Sequence, residues 1–169
     1  MPASRLLTTP VLATLATTIV VVDQITKAMV RAMLPLHDSV SVLPGFLDLT
    51  HVRNTGAAFG FLNAVDIPFK PVIMTVIALA ALVAIGVFAV RGASQEPITQ
   101  LGLSLVFGGA TGNLIDRVTA GHVVDFIDFY VGDWHFWAFN VADAAITVGV
   151  AFMILDLLNV RTSGVSRTV

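Results

Sequence analysis

The sequence predicts an all-α membrane protein in which four transmembrane helices carry a small extracytoplasmic β-sheet and a long loop joins the third and fourth helices. Three observations predict it. Hydrophobic residues make up 56% of the chain and charged residues only 12%, and the mean hydropathy is +0.89, a balance foreign to ordinary soluble domains. Four separate stretches stay apolar over the roughly 20 residues that a helix needs to cross about 30 Å of hydrocarbon. The polar residues gather at the mouths of those stretches, in two long connections, and leave only one short polar turn.

Composition also narrows function. A formal net charge of −2 with no run rich in Lys or Arg gives no reason to expect a nucleic-acid partner. Cysteine is absent, which excludes disulfides, thiolate metal ligands and a Cys nucleophile. The four His residues are scattered and no H-E-x-x-H occurs, so a zinc protease is not expected. No metal or cofactor is called for.

The first apolar stretch covers residues 11–30. Arg5 ahead of it resembles the start of a signal peptide, but Asp23, Gln24 and Lys27 stand where a small-residue cleavage site belongs and the helical pattern runs through them. An uncleaved helix is therefore expected. Asp23 and Lys27, four apart, share one helix face and predict an ion pair, with Lys27 snorkelling outward.

In the connection 31–67, Ser39-Val40-Ser41-Val42-Leu43 alternates polar and apolar, Pro44-Gly45 interrupts, and Phe46 to Val52 alternates again. That predicts two short strands joined by a turn, lying on the membrane surface. Next comes Asn54-Thr55-Gly56-Ala57-Ala58-Phe59-Gly60. It reads either as an ordinary turn or as an amide set among small residues that admit a close-approaching backbone or ligand.

The second helix is expected at 68–90, a tight polar turn at 91–97, and the third helix at 98–118. Gly102, Gly108, Gly109 and Gly112 give that helix a face suited to close packing. Asn113, Asp116 and Arg117 fall at i, i+3 and i+4 on one polar face, with Asp116 and Arg117 expected to compensate each other. The connection 119–137 carries His122-Val123-Val124-Asp125, read as a loop dipping back towards the membrane, and Trp134, Phe136 and Trp137, read as interfacial anchors. The fourth helix is placed at 138–160, with Asp143 about one turn inside it and Asn140 three residues earlier on the same face. With no repeat or linker, 1–169 is read as a single integral-membrane domain. Four spans put both termini on one side, but the Lys and Arg counts do not decide which side that is.

Asp125 and Asp143 stand out because the sequence gives neither an obvious cation. An unpaired charge in hydrocarbon costs about 2.5–3.5 kcal/mol on insertion scales. If the two face each other, they can share one proton. The ionised acid would then take a proton from a trapped water as it attacks a peptide carbonyl, while the protonated acid donates to the carbonyl oxygen. From spacing alone, helix capping or loop solvation is the plainer reading of two isolated Asp residues, and such acids also serve transport.

Five blocks now stand in order: Asp23-Gln24-Ile25-Thr26-Lys27; Asn54-Thr55-Gly56-Ala57-Ala58-Phe59; Gly108-Gly109-Ala110-Thr111-Gly112-Asn113-Leu114-Ile115-Asp116-Arg117; His122-Val123-Val124-Asp125-Phe126; and Phe139-Asn140-Val141-Ala142-Asp143-Ala144-Ala145-Ile146-Thr147. In order and spacing they resemble the motifs of bacterial lipoprotein signal peptidase, signal peptidase II. The resemblance implies a multi-pass aspartic endopeptidase of the bacterial inner membrane, acting as a monomer, with cytoplasmic termini and its active site near the periplasmic face. The implied partners are membrane lipid and a diacylglyceryl-modified prolipoprotein, cut just before the lipidated cysteine. It further implies Asp125 and Asp143 as the catalytic dyad, with Asp23, Lys27, Asn54, Asn113, Asp116, Arg117 and Asn140 binding substrate or supporting the site. Two departures are visible: Ala144 stands where the family often has Ser, and Ile115 where it often has Tyr.

The principal alternative is a small membrane transporter or proton channel that relays ions along Asp23, Asp116, Asp125 and Asp143. A serine protease at Ser104 would need a His base on a neighbouring helix, whereas His37, His51, His122 and His135 all fall between the predicted spans. A membrane scaffold without activity would leave the acids unexplained.

Overall fold

A computed structural model describes residues 9–56, 65–91 and 96–165. Residues 57–59 of the Asn54-to-Phe59 motif and most of the polar turn at 91–97 lie outside the described residues. The elements run α1 (Thr9–Met33), β1 (Ser39–Leu43), β2 (Leu47–Asn54), α2 (Lys70–Arg91), α3 (Pro97–Ala120), β3 (Val123–Val131), β4 (Trp134–His135) and α4 (Val141–Val165). All four helices are long and apolar enough to cross a membrane.

α3 is the central helix and packs against α1, α2 and α4, most extensively α4. Half of its spanning window is buried inside the bundle, against 6% of that of α2, whose Val72, Val76 and Val83 side chains are exposed as lipid-facing residues are. Hydrophobicity cannot draw helices together when the solvent is itself apolar, so close contact of small residues takes over. A Cβ on Gly102 would stand 2.6 Å from the Gly149 carbonyl oxygen, and one on Gly149 would stand 2.5 Å from that of Gly102. The small-residue face of α3 thus sets the α3–α4 crossing.

The sheet sits at the end of the bundle where α1 and α3 finish and α2 and α4 begin. Its order is β1-β2-β3-β4, all antiparallel. As the alternation predicts, β1 and β2 form a hairpin, turning at Gly45 with φ +82°. Val124 and Phe126 of β3 pack on Val30 of α1, which ties the sheet to the bundle. Trp134 and Trp137, 64% and 62% exposed, project where interfacial anchors belong.

The connection between α3 and α4 holds more structure than its sequence announced. Asp125 lies on a nine-residue strand that pairs with β2, Val52 opposite Asp125 and Asn54 opposite Val123, rather than on a dipping loop. Val123, Val124, Asp125 and Phe126 are all buried, so the strand is covered on both faces and lacks the alternation that betrays a half-exposed one. Gly121 and Gly132, at φ +74° and +60°, bracket it.

Candidate active site

The site is built from the ends of five elements, and the first turn of α4 anchors it. Asn140 is the N-cap of α4: its Oδ1 accepts the Asp143 backbone N–H at 2.9 Å, and the Asn140 backbone N–H donates to Asp143 Oδ2 at 3.3 Å. That reciprocal pair is a capping box made from Asn and Asp, which places Asp143 in the first turn of the helix. The Asp143 carboxylate is thereby fixed by the backbone that starts the span.

Asp125 reaches the same point from β3. The Asn140 side chain donates through Nδ2 to Asp125 Oδ1 at 2.7 Å, and Asn54, the last residue of β2, donates through Nδ2 to Asp125 Oδ2 at 3.0 Å. Asn113 of α3 donates to Asp143 Oδ1 at 2.8 Å. Each carboxylate oxygen of the two acids therefore receives an N–H, and both acids bond to one residue, Asn140. Asp125 is 3% exposed, and its carboxyl is pushed up to about 7, first by burial and then by the negative charge of Asp143. The hydrogen bonds from Asn54 and Asn140 and the Lys27 charge pull the other way.

Behind the acids lies a buried charge network. Lys27 Nζ is 2.8 Å from Asp23 Oδ2, 3.0 Å from Asp116 Oδ2 and 2.9 Å from Asn113 Oδ1. Its side chain is fully buried, so it does not snorkel outward as the sequence suggested; two carboxylates and an amide inside the bundle replace the water it would seek. Asp23 also accepts the Ala142 backbone N–H at 3.0 Å, joining α1 to the first turn of α4. Gly112 makes room for this carboxylate, since a Cβ there would come within 2.6 Å of Asp23 Oδ2. Asp116 accepts the Val124 backbone N–H at 3.3 Å and so holds the strand residue next to Asp125.

The expected Asp116–Arg117 pair does not form. Asp116 is met by Lys27 and, at 3.6 Å, by Arg31. Arg117 instead donates to the Gly56 carbonyl at 3.1 Å and the Asn113 carbonyl at 3.3 Å. Adjacent residues on a helix point about 100° apart, so Arg117 faces the loop after β2 while Asp116 faces α1. All the predicted site residues nevertheless belong to one connected cluster. Gln24, which the sequence does not single out as a site residue, joins the cluster. Its Nε2 lies 3.2 Å from Asp23 Oδ2, 3.3 Å from Asp116 Oδ1 and 3.1 Å from the Gly112 carbonyl oxygen. The signal was available, because Gln24, Lys27 and Arg31 recur at i, i+3 and i+7 on one helix face.

Among the described residues, two apolar grooves open beside Asp143. One runs between α2, α3 and α4 past Asn54, Met74, Ala110, Arg117 and Ile146. The other follows the outer side of α4 beneath Phe136 and Phe139, past Ala144 and Thr147, and encloses about 590 Å³. Ser104, the serine of the rival reading, donates to the Leu12 carbonyl; its hydroxyl is spent on helix packing.

The sequence model of the signal peptidase (SPase) II family matches residues 15–159. This chain belongs to that family. The lipoprotein signal peptidase of Maridesulfovibrio salexigens is 48% identical over 136 residues, covering 80% of this chain and 87% of that protein. That of Symbiobacterium thermophilum is 43% identical over 152 residues, 89% and 95% of the two chains. A bacterial membrane enzyme solved by the in meso method at 2.3 Å superposes with a TM-score of 0.81 at 35% identity, covering 92% of each chain. As a member of the signal peptidase II family the protein is a peptidase and a multi-pass bacterial membrane protein. The polar cluster described above lies wholly within the matched residues.

Proposed function

We propose that the protein is an aspartic endopeptidase that removes the signal peptide from diacylglyceryl-modified prolipoproteins, cutting just before the lipidated cysteine. The observation that carries this reading is the meeting of two carboxylates, Asp125 and Asp143, at one capping asparagine beside two apolar grooves. A water held between the acids loses a proton to the ionised one as its oxygen attacks the scissile carbonyl. The other acid donates its proton to the carbonyl oxygen, giving a tetrahedral diol. When the C–N bond breaks, the lipidated cysteine leaves with a proton on its amine, and the dyad is left with the single proton it began with.

The surroundings suit this chemistry. Asn54, Asn113 and Asn140 stabilise the charge of the dyad without supplying protons for it to lose. A diacylated cysteine and a signal-peptide helix are both lipid-soluble, and the two grooves beside Asp143 let each stay in apolar surroundings while the bond between them reaches the dyad. Arg117, which lines one groove, also donates to the Gly56 carbonyl just after β2. In this reading the protein acts as a monomer, the sheet end of the bundle faces the periplasm and both termini are cytoplasmic.

The test is cleavage in detergent of a prolipoprotein peptide with and without its diacylglyceryl group. Cleavage before the cysteine, with kcat/KM at least about 100-fold higher for the lipidated peptide, is expected if acyl burial contributes the several CH₂ groups that a groove can hold. Equal turnover of both peptides, or release at another bond, would overturn the substrate assignment.

A further inference from the structure

We infer that Lys27 is a positioning residue for the dyad: its ammonium decides which way the Asn113 amide faces, and hence whether Asp143 meets a hydrogen-bond donor or another oxygen. The inference rests on the reading of Asp125 and Asp143 as the reacting acids. An asparagine amide is a nearly symmetric fork with an acceptor on one tine and a donor on the other, so its partners choose its orientation.

Among the described residues, three such amides touch the dyad. Asn54 turns its Nδ2 to Asp125 because its Oδ1 is taken by the Gly56 backbone N–H at 2.9 Å. Asn140 does the same because its Oδ1 caps the Asp143 backbone N–H at 2.9 Å. Main-chain donors orient both. Asn113 differs: its Oδ1 accepts Lys27 Nζ at 2.9 Å, and its Nδ2 donates to Asp143 Oδ1 at 2.8 Å. Asn140 Nδ2 also approaches Asn113 Oδ1, but at 3.3 Å and while serving Asp125 and the Val124 carbonyl.

An ammonium has three donors and no acceptor. Lys27 is also unable to turn away, because Asp23 and Asp116 hold it at 2.8 and 3.0 Å with no exposed surface. A flipped Asn113 would set its NH₂ against a cation and its oxygen against a carboxylate. Among the described residues, the other charged groups facing this junction are Asp23 and Arg31 from α1, Asp116 and Arg117 from α3, and Asp125 from β3. Beside the direct pull of its charge on Asp125, Lys27 therefore acts on the reaction through the amide that it orients.

The test is steady-state cleavage of the diacylglyceryl-prolipoprotein peptide across pH by the full-length wild type, Lys27→Met, Asn113→Ala and the double variant. Either single change is expected to lower kcat on the order of 100-fold, as losing one oriented donor does, with KM within about twofold. The acid limb of the kcat profile should rise by about one pH unit in both, because an ionised dyad is harder to keep without that donor. The double variant should be no worse than the poorer single, since both remove one interaction. Multiplying losses, or an acid limb that stays in place, would overturn the inference.

Asp125→Asn and Asp143→Asn serve as controls. If they turn over normally the dyad reading itself fails, whereas inactive controls with multiplying Lys27 and Asn113 losses sink only the positioning role. Should Lys27→Met not fold, the wild type decides alone. The Asn113 side-chain ¹⁵N resonance, assigned by its loss in Asn113→Ala, must move as the dyad titrates; a resonance indifferent to pH would mean that the NH₂ does not face Asp143.

Discussion

Asp143→Asn is expected to lower the single-turnover cleavage rate by about 10⁴-fold or more, and Asp125→Asn to do the same, with the double variant no slower than the singles. Members of one catalytic unit are non-additive because removing either stops the same step. The substitution keeps the shape of the side chain while removing the acid, so the fold should persist. An amide oxygen introduced at position 143 could still accept from Asn113, which sits 2.8 Å from Asp143 in the native site, and one introduced at position 125 could still accept from Asn140. What neither variant can do is both take a proton from water and return one to the carbonyl. A rate within about tenfold of wild type in either variant would be far more than a broken dyad allows. A transporter that relays ions along several acids would instead tolerate the loss of one.

Asp116→Ala is expected to be strongly destabilising, by about 3–5 kcal/mol, the range for breaking a buried ion pair by removing one partner. Asp116 is 1% exposed and serves Lys27, Arg31, Gln24 and the Val124 backbone N–H together. Among these side chains two acids, Asp23 and Asp116, balance two bases, Lys27 and Arg31. Removing Asp116 takes one of two carboxylates from the fully buried Lys27, leaves the partly exposed Arg31 without this pair and frees the strand residue beside Asp125. Thermal denaturation in detergent should show a fall on the order of 10 °C. A fall of less than about 2 °C would mean that the network is not coupled to folding in the way its burial implies.

Much of this was readable in the sequence, and the reasons for the rest are physical. Helical spans are legible because hydrocarbon imposes length and apolarity at once. Pairs within one helix are legible because the 3.6-residue period is local, so Asp23 with Lys27 and Asn113 with Asp116 could be placed on shared faces. β3 was hidden because Val123 to Phe126 are buried on both sides and show no alternation. The partner of Arg117 was hidden because the Gly56 carbonyl is a main-chain group 61 residues away, with no side-chain signature at all. The capping box was legible but unread: hydropathy starts the fourth helix at 138, whereas Asn140-Val141-Ala142-Asp143 marks the first helical residue as Val141. Reading that signature would have put Asn140 and Asp143 in mutual contact from the sequence alone.

The account depends on two acids that feel each other's charge, and the most direct measurement is the titration of Asp125 in protein labelled with ¹³C at aspartate Cγ, assigned by its loss in Asp125→Asn. In the wild type the Asp125 carboxyl should titrate near 7, so the dyad's single proton persists through neutral pH and cleavage declines above it, where both acids are ionised and no proton donor remains. In Asp143→Asn the same resonance should titrate lower, since one negative neighbour is gone, yet stay above the ordinary carboxylate range, since burial is the larger cause. An Asp125 that titrates in the ordinary range, or one whose titration is unmoved when Asp143 loses its charge, would contradict the shared-proton dyad.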